Sequence, residues 1–543
     1  MNNKIQLQIS RFFKVNKFLK VAVFCLMAFA PITCSDYLDV RPDSKILLEE
    51  FWQKGSDVEA TVLACYRAMQ EDNFMWRVIA WGEVRSDNVI IASGDVDKGL
   101  RDACNANILP TNSLSEWGDF YRVINYCNTV LKYAPDVLDR DPNFTTADLQ
   151  AKSAEALAIR ALCYFYLVRT FRDVPLSLDA TVNDNQNLLI PQSTPAEVLA
   201  KITEDLLQAE QWALSEYSSP NETRGRMTKD AIRAILADVY LWQKKYAECI
   251  NYCDMLINAT EKASATSTLV LPKYQFMEVS KRGAITPMSD IFFWGNSSES
   301  IFELQFNTEK YNEGVGKIYG KATGEGREGQ LRVTTLYVEG ELVFSKTDER
   351  KGSFIYLLGS ESGAYRIWKY VGFGWALGSA TLYDSPKTTT PNWIFYRISD
   401  IMLMKAEALV QLNRSTTDLN DALYLVNKTY MRSNTTLLEA DSLAFEKYGD
   451  QNTLDYLVLL ERQRELMFEG KRWFDLVRRS ERKNSPEDLV NFVLYKYTDN
   501  LSTIAAKLGV MNALYLPVNE GELIANPQLV QNPYYITTTN IEK

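Results

Sequence analysis

Histidine is missing from all 543 residues of the chain. Its absence excludes Ser-His-Asp and Cys-His nucleophilic sites, zinc sites that use imidazole, and histidine as a general base. Carboxylate pairs, lysine chemistry and metal sites built only from oxygen ligands remain open. No two cysteines form a C-x-x-C pair, so a zinc ribbon or redox dithiol is unsupported. Cys249 and Cys253, four residues apart, are expected to share one helix face as small apolar side chains.

Positive charge is also in short supply. The chain has 59 Lys and Arg against 69 Asp and Glu, a net charge of −10. Residues 1–33 contain basic but no acidic residues, so the chain from Cys34 onward carries about −15. Such an acidic body repels phosphate backbones, and no basic patch with interleaved aromatics offsets this. Nucleic acid is therefore not expected as a partner.

The N-terminus has no apolar run long enough to span a membrane. Val21–Ala30 (VAVFCLMAFA) is a ten-residue apolar run that comes after a basic segment. Its length is that of the hydrophobic part of a signal peptide. Cys34 comes next, at the position where a bacterial lipoprotein is acylated, so we expect residues 1–33 to be a signal peptide and Cys34 a lipid anchor. An ordinary secretory signal cut nearby is the alternative.

Helical periodicity dominates the chain beyond Cys34. Apolar residues recur at steps of four and three from Leu157 to Phe171, which indicates a helix buried along one stripe. Thr194-Pro195 predicts the start of another helix. Residues 234–247 and 403–422 predict two helical hairpins with small residues at fixed offsets, as in tetratricopeptide (TPR) repeats. Stacked hairpins of this kind usually form a binding scaffold.

Residues 260–395 have a different character. This segment is rich in Gly, Ser, Thr and aromatic residues and contains a strand-like run, Ser300–Phe306. Six glycines between positions 314 and 329 predict that no regular element forms there. We therefore expect a mainly α protein: a TPR-like helical hairpin scaffold, about 50–260 and 393–480, with a large loop-rich, short-strand insertion. Long irregular connections tend to carry function.

Several strings resemble the SusD/RagB outer-membrane nutrient-binding lipoproteins of the Bacteroidetes. They include residues 158–175 (AIRALCYFYLVRTFRDVP), with Arg172 where glycine is usual, and residues 396–408. The most specific is 461–479 (ERQRELMFEGKRWFDLVRR). The resemblance implies one SusD-like body over residues 34–543, anchored at the cell surface. It also implies a SusC-like TonB-dependent outer-membrane transporter as partner and an oligosaccharide or polysaccharide as ligand, with no catalytic activity and no cofactor.

The 461–479 segment is expected to be structural. Arg464 stands three residues after Glu461 and can pair with it on one helix face, while Gly470 permits a break before Trp473 and Phe474 pack. A salt-bridge network explains these charges more simply than a catalytic site does.

An oligosaccharide site needs flat aromatic faces with polar groups beside them, so the candidates are aromatic residues in loops. Trp81 is assigned to the core, and Asp87-Asn88 could equally form a turn. No calcium-loop motif occurs, and no metal site is predicted. The candidate ligand-binding residues are Trp76, Asp87, Asn88, Tyr311, Tyr319 and Trp375.

Three other functions remain open. Related binding proteins are associated with peptide uptake, so a peptide or another nutrient is the close alternative to a glycan. A glycoside hydrolase would need two carboxylates about 5–10 Å apart in a cleft, which sequence spacing cannot reveal. A purely structural scaffold would leave the loop aromatics unexplained.

Overall fold

The computed structural model describes residues 51–182, 186–262, 270–277, 288, 290–320, 329–334, 337, 342–357, 365–372 and 390–536. The chain divides into Met1–Trp52 and a body from Gln53 to Lys543. In the part of the chain that the structure describes, no helix is both long and apolar enough to cross a membrane.

The first half of the body is helical. Its helices are α1 (Gly55–Met69), α2 (Asp72–Glu83), α3 (Lys98–Cys104), α4 (Gly118–Tyr133), α5 (Thr146–Phe171), α6 (Pro195–Trp212), α7 (Pro220–Gly225), α8 (Lys229–Trp242) and α9 (Tyr246–Ile257). The predicted start at Thr194-Pro195 is confirmed, since the Thr194 hydroxyl accepts from the Glu197 amide in a capping box.

Helix α5 is the centre of this half. A capping box of Thr145 and Asp148 begins it, and α4 and α6 pack along it. The helix predicted from Leu157 to Phe171 is confirmed, but it is buried on every side from Ser153 to Phe171 rather than along one stripe. It ends at Arg172, whose φ of 71° and ψ of −74° lie outside the regions that L-residues prefer.

Both predicted helical hairpins are confirmed. Helices α8 and α9 form the first hairpin, and α12 (Ile398–Leu412) and α13 (Thr416–Ser433) form the second. Helix α9 packs directly on α12, so the two hairpins stack in the manner of TPR repeats. Cys249 and Cys253 do share one buried face of α9, with their sulfur atoms 4.0 Å apart.

The C-terminal part adds smaller helices behind the second hairpin. They are α14 (Phe445–Tyr448), α15 (Gln451–Leu466), α16 (Arg472–Lys483), α17 (Glu487–Leu494), α18 (Leu501–Leu508) and α19 (Glu520–Ala525). Helix α15 packs on both α12 and α13 through Leu454, Leu457 and Val458, which closes an apolar core.

Short strands appear mainly in the loop-rich segment, as predicted. One antiparallel sheet has the order β1 (Val89–Ile91), β7 (Leu331–Val333), β9 (Tyr365–Ile367), β8 (Ile355–Leu357). The predicted strand at residue 300 is β6 (Ser300–Leu304), which pairs with β10 (Trp393–Arg397) across a register irregularity. Two further antiparallel pairs occur among the described residues: β2 (Val174–Pro175) with β3 (Gln192–Ser193), and β4 (Thr260–Lys262) with β5 (Val270–Pro272).

The prediction that residues 314–329 lack regular structure is wrong at its start. Residues Glu313–Tyr319 form helix α10, which packs against α2. A Cβ at Gly314 would lie 2.8 Å from the Cβ of Met75, so this glycine lets the two helices approach closely. The glycine serves helix packing here and does not break the helix. One further short helix, α11 (Arg350–Phe354), precedes β8.

Candidate functional site

Two of the predicted ligand residues, Asp87 and Asn88, lie inside the body. Both side chains are fully buried. The Asp87 carboxylate accepts from Arg472 at 2.8 and 2.9 Å, from the Tyr337 hydroxyl at 2.8 Å and from Gln463 at 2.9 Å. Burial raises the pKa of Asp87, but the Arg472 charge and hydrogen bonds outweigh it and hold that pKa below its usual value. We therefore place these residues in the buried framework of the body and not in the ligand surface.

Tyr319 also belongs to this framework. It is fully buried at the end of α10, and its hydroxyl donates to the carbonyl of Phe468 at 3.0 Å. Its ring faces Tyr370 at 6.5 Å. A side chain enclosed in this way has no face left for a ligand.

The acid-and-arginine segment 461–479 forms a buried ion-pair network between helices. Glu465 accepts from Arg397 at 2.7 Å and from Arg350 at 3.1 Å, and Arg432 is a third partner. Burial raises the pKa of Glu465, but the three guanidinium groups together hold it well below its usual value. The salt-bridge network predicted for this segment is therefore present.

The other predictions for this segment are also confirmed. Arg464 donates to Glu461 at 2.9 Å on one helix face. The helical conformation is interrupted between α15 and α16, where Gly470 has a φ of +67°. Trp473 and Phe474 are buried beyond this interruption. A Cβ at Gly82 would lie 1.7 Å from the Gly470 carbonyl oxygen, which shows how closely the backbones of α2 and this turn approach.

Trp76 and Tyr311 stay at least partly open to solvent and lie on neighbouring elements. Trp76 is half-buried in α2, and Tyr311, two residues before α10, is 37% exposed. Helices α2 and α10 are in contact. At this contact a Cβ on Gly314 would lie 3.2 Å from the Trp76 backbone nitrogen, so Trp76 and the residues around Gly314 are close together. We call the surface formed by Trp76, Tyr311 and the charged residues Asp72, Lys310 and Lys317 of the same elements the aromatic face.

The polar groups of the aromatic face alternate in charge. Asp72, at the start of α2, lies 3.3 Å from the Lys310 ammonium and 3.6 Å from the Lys317 ammonium. All three side chains retain partial exposure, between 21% and 50%. Flat aromatic rings beside carboxylate and ammonium groups suit a ligand rich in hydroxyl groups, since the rings pack on its apolar faces and the charged groups exchange hydrogen bonds with it.

Sequence reasoning missed Trp294, which is 59% exposed. It ends a single π-helical turn, Asp290–Trp294, and Gly295 and Asn296 come after it with φ of 70° and 54°. A Gly-Asn pair after an aromatic residue is a turn signal that could have drawn attention to this position. The side chain of Trp294 is therefore exposed, whereas the backbone two residues later is bonded to a buried carboxylate.

Hydrogen bonds hold the Trp294 turn firmly. The backbone nitrogen of Asn296 donates to the two carboxylate oxygens of Glu303 at 2.9 and 3.0 Å. The side-chain amides of Asn296 and Gln305 donate to each other at 2.9 and 3.0 Å. Asn392 donates to Glu303 at 2.9 Å and to Gln305 at 3.0 Å. Burial raises the pKa of Glu303 despite these hydrogen bonds.

The turn and the aromatic face share their supports. Gln70, just before α2, donates to the Gln305 carbonyl at 2.5 Å, and the chain runs from Gln305 directly to Tyr311. Asn312, the next residue, donates to the Pro391 carbonyl at 3.0 Å. Residues 305–312 therefore connect the hydrogen bonds that hold the Trp294 turn to those that hold the backbone next to Tyr311.

Two predicted residues, Trp375 and the anchor Cys34, lie outside the described residues. Among the described residues, no group of three or more Cys, Asp or Glu side chains has the arrangement of a metal site.

Two family models match the chain. One, described as "SusD family", matches residues 358–535, and the other, described as "Starch-binding associating with outer membrane", matches residues 36–241. SusD-like protein P38 of Formosa agariphila is 27% identical over 477 residues, which cover 82% of this chain and 88% of the relative. SusD-like protein P25 of the same organism is 23% identical over 555 residues, 95% of this chain and 98% of the relative.

Solved structures agree in fold. A SusD homolog from Bacteroides thetaiotaomicron has a TM-score of 0.70 at 18% identity, over 90% of this chain and 98% of the homolog. A laminarin-binding SusD-like protein has a TM-score of 0.63 at 22% identity, over 89% and 99% of the two chains. The TPR-like scaffold with its strand-bearing insertion is thus the fold of these proteins. The two family models, which together match residues 36–241 and 358–535, identify the chain as a SusD/RagB family protein.

Proposed function

We propose that this protein is a cell-surface lipoprotein that binds an oligosaccharide and delivers it to a TonB-dependent outer-membrane transporter. Cys34 would carry the lipid anchor after removal of residues 1–33. The protein captures its ligand and does not cleave it.

The observation that carries the proposal is the aromatic face. Trp76 and Tyr311 are partly open to solvent on elements that pack together, and Asp72, Lys310 and Lys317 of the same elements form ion pairs. Rigid aromatic side chains give a large contact area at a low cost in conformational entropy. We propose that Trp294 and Trp375, both in the loop-rich segment, are further ligand-binding residues.

Family membership supports a carbohydrate as the ligand. One matching family model is described as starch-binding, and one solved structure with the same fold is a laminarin-binding protein. The same model's description, associated with the outer membrane, supports the proposed location.

The test is a binding panel with the chain that begins at Ser35. Plant, algal and host polysaccharides, and a set of peptides, are titrated by affinity electrophoresis and calorimetry, while reducing ends are measured in the same samples. We expect binding to one glycan class, with no increase in reducing ends, and weaker binding by Trp76→Ala and Tyr311→Ala. Binding to peptides alone would favour the peptide alternative, and steady release of reducing sugar would refute the absence of catalysis.

A further inference from the structure

A concave surface of the body shares no lining residue with the aromatic face. It is a groove of about 780 Å³. Residues 175–179, 181 and 186–190 line its first wall, and Glu522, Ala525, Asn526 and Leu529 line its second. Trp117 and Tyr121, at the start of α4, also line it. A volume of this size is typical of a binding site. The aromatic face contributes no residue to its lining.

The walls of the groove are fixed by side chains beneath them. Asn128 of α4 donates to the carbonyl of Ser177 at 3.0 Å, which holds the first wall. Asn526 donates to the carbonyl of Ile190 at 2.8 Å, which ties the second wall to the first. A groove held in this way is formed before any partner arrives, so docking does not have to order its walls.

Much of the groove is apolar and open. Leu178, Leu188 and Leu189 are 40%, 52% and 40% exposed. In the C-terminal segment that supplies the second wall, Ile524 is 77% exposed and Val530, the residue after Leu529, is 66% exposed. Several leucine side chains left open in one groove are typical of a protein contact, because their association with another apolar surface removes them from water.

The charges of the groove are all of one sign. Asp179 and Glu522 are its ionisable carboxylates, and none of its described lining residues is lysine or arginine. Partial burial raises the pKa of Glu522; a hydrogen bond from Trp117 opposes this and the charge of nearby Glu116 adds to it. A bound cation would relieve this concentration of negative charge, so the groove complements lysine or arginine side chains.

We infer that the groove docks an extended segment of a protein partner that carries leucine-like side chains together with lysine or arginine. The leucines of the first wall receive the apolar side chains, and Asp179 and Glu522 receive the cationic ones. This docking is independent of the proposed carbohydrate binding, since the two surfaces share no residue.

The experiment uses the full chain in detergent and a short fluorescein-labelled peptide of alternating leucine and lysine, followed by fluorescence anisotropy. A matched peptide with glutamate in place of each lysine tests the charge argument. Leu188→Ser probes the apolar wall, and Leu438→Ser, at a 72% exposed position outside the groove, is its control. Glu522→Gln probes the carboxylate, and circular dichroism checks the fold of each variant.

We expect the lysine peptide to bind about ten-fold more tightly than the glutamate peptide, and Leu188→Ser to weaken it about ten-fold. Leu438→Ser should bind it as the unaltered chain does, and Glu522→Gln should reduce the preference for lysine. Equal affinity for the two peptides, or equal binding by Leu188→Ser and Leu438→Ser, would overturn the inference. So would a loss of polysaccharide binding in Leu188→Ser, which would make the groove part of the carbohydrate site.

Discussion

If Asp87 belongs to the buried framework and not to the ligand surface, its replacement should cost stability by a calculable amount. In Asp87→Asn the side chain keeps its shape, but the Arg472 guanidinium loses its buried negative partner. The amide nitrogen must also face one of the four hydrogen-bond donors that surround the native carboxylate. Removing one partner of a buried ion pair lowers the free energy of unfolding by about 3–5 kcal/mol.

The assay is urea unfolding followed by circular dichroism, with Asp136→Asn as the control. Asp136 is 57% exposed and lies 4.0 Å from Arg140, so its loss should change the free energy of unfolding by less than about 1 kcal/mol. Glycan binding is measured in parallel below the unfolding transition. If Asp87→Asn unfolds at the same urea concentration as the unaltered protein yet loses glycan binding, Asp87 is a ligand residue and the framework assignment is refuted.

The same pair predicts a dependence on pH. Because the folded-state pKa of Asp87 is depressed, its contribution to stability is present above the unfolded value of about 3.9 and is lost as the pH falls through the folded value. The difference in stability between the unaltered protein and Asp87→Asn should therefore shrink below about pH 4. An undiminished difference at acid pH would contradict the ion-pair explanation.

Three further predictions concern other positions. Burial raises the pKa of Glu83 from 4.5 to about 7, so the unaltered protein loses stability as the pH rises between these values. In urea unfolding, the free energy of unfolding of Glu83→Gln relative to the unaltered protein should therefore increase by up to about 3 kcal/mol between pH 4 and 8. Trp294→Ala should weaken glycan binding about three- to ten-fold by calorimetry, whereas Tyr424→Ala, at a 60% exposed helical position, should not. Arg172→Gly should raise the free energy of unfolding by about 1 kcal/mol, because glycine tolerates the positive φ at this helix end, and an unchanged or lower urea midpoint would contradict this.

The helices could be predicted because their signals are local. The four-three spacing from Leu157 to Phe171 and the cap at Thr194 each lie within a few residues of the element they define. Even there the spacing indicates one buried stripe, whereas the body surrounds α5 completely. Burial on all sides depends on neighbouring helices that arrive from distant parts of the chain.

The candidate site was harder to predict because burial depends on distant partners. Asp87 forms an ion pair with Arg472, 385 residues away, and no pattern in the sequence around Asp87 predicts that contact. Tyr319 is covered by Phe468 in the same way. Gly314 reads as a helix breaker from its neighbours alone, because its partner Met75 lies far away in sequence. Trp294 ends a π-helical turn and precedes two residues with positive φ, an arrangement that the spacing of neighbouring apolar residues does not predict.

Calorimetric titration of the best-binding glycan tests most directly whether the aromatic face is the carbohydrate site. The titration compares the unaltered protein with the double variant Trp76→Ala, Tyr311→Ala, after urea unfolding has shown that the two are similarly stable. We predict that the double variant binds at least about ten-fold more weakly, since each ring contributes about 0.5–1.5 kcal/mol beyond the area it buries. Equal affinity of the two proteins would contradict this assignment and place the carbohydrate site elsewhere on the chain.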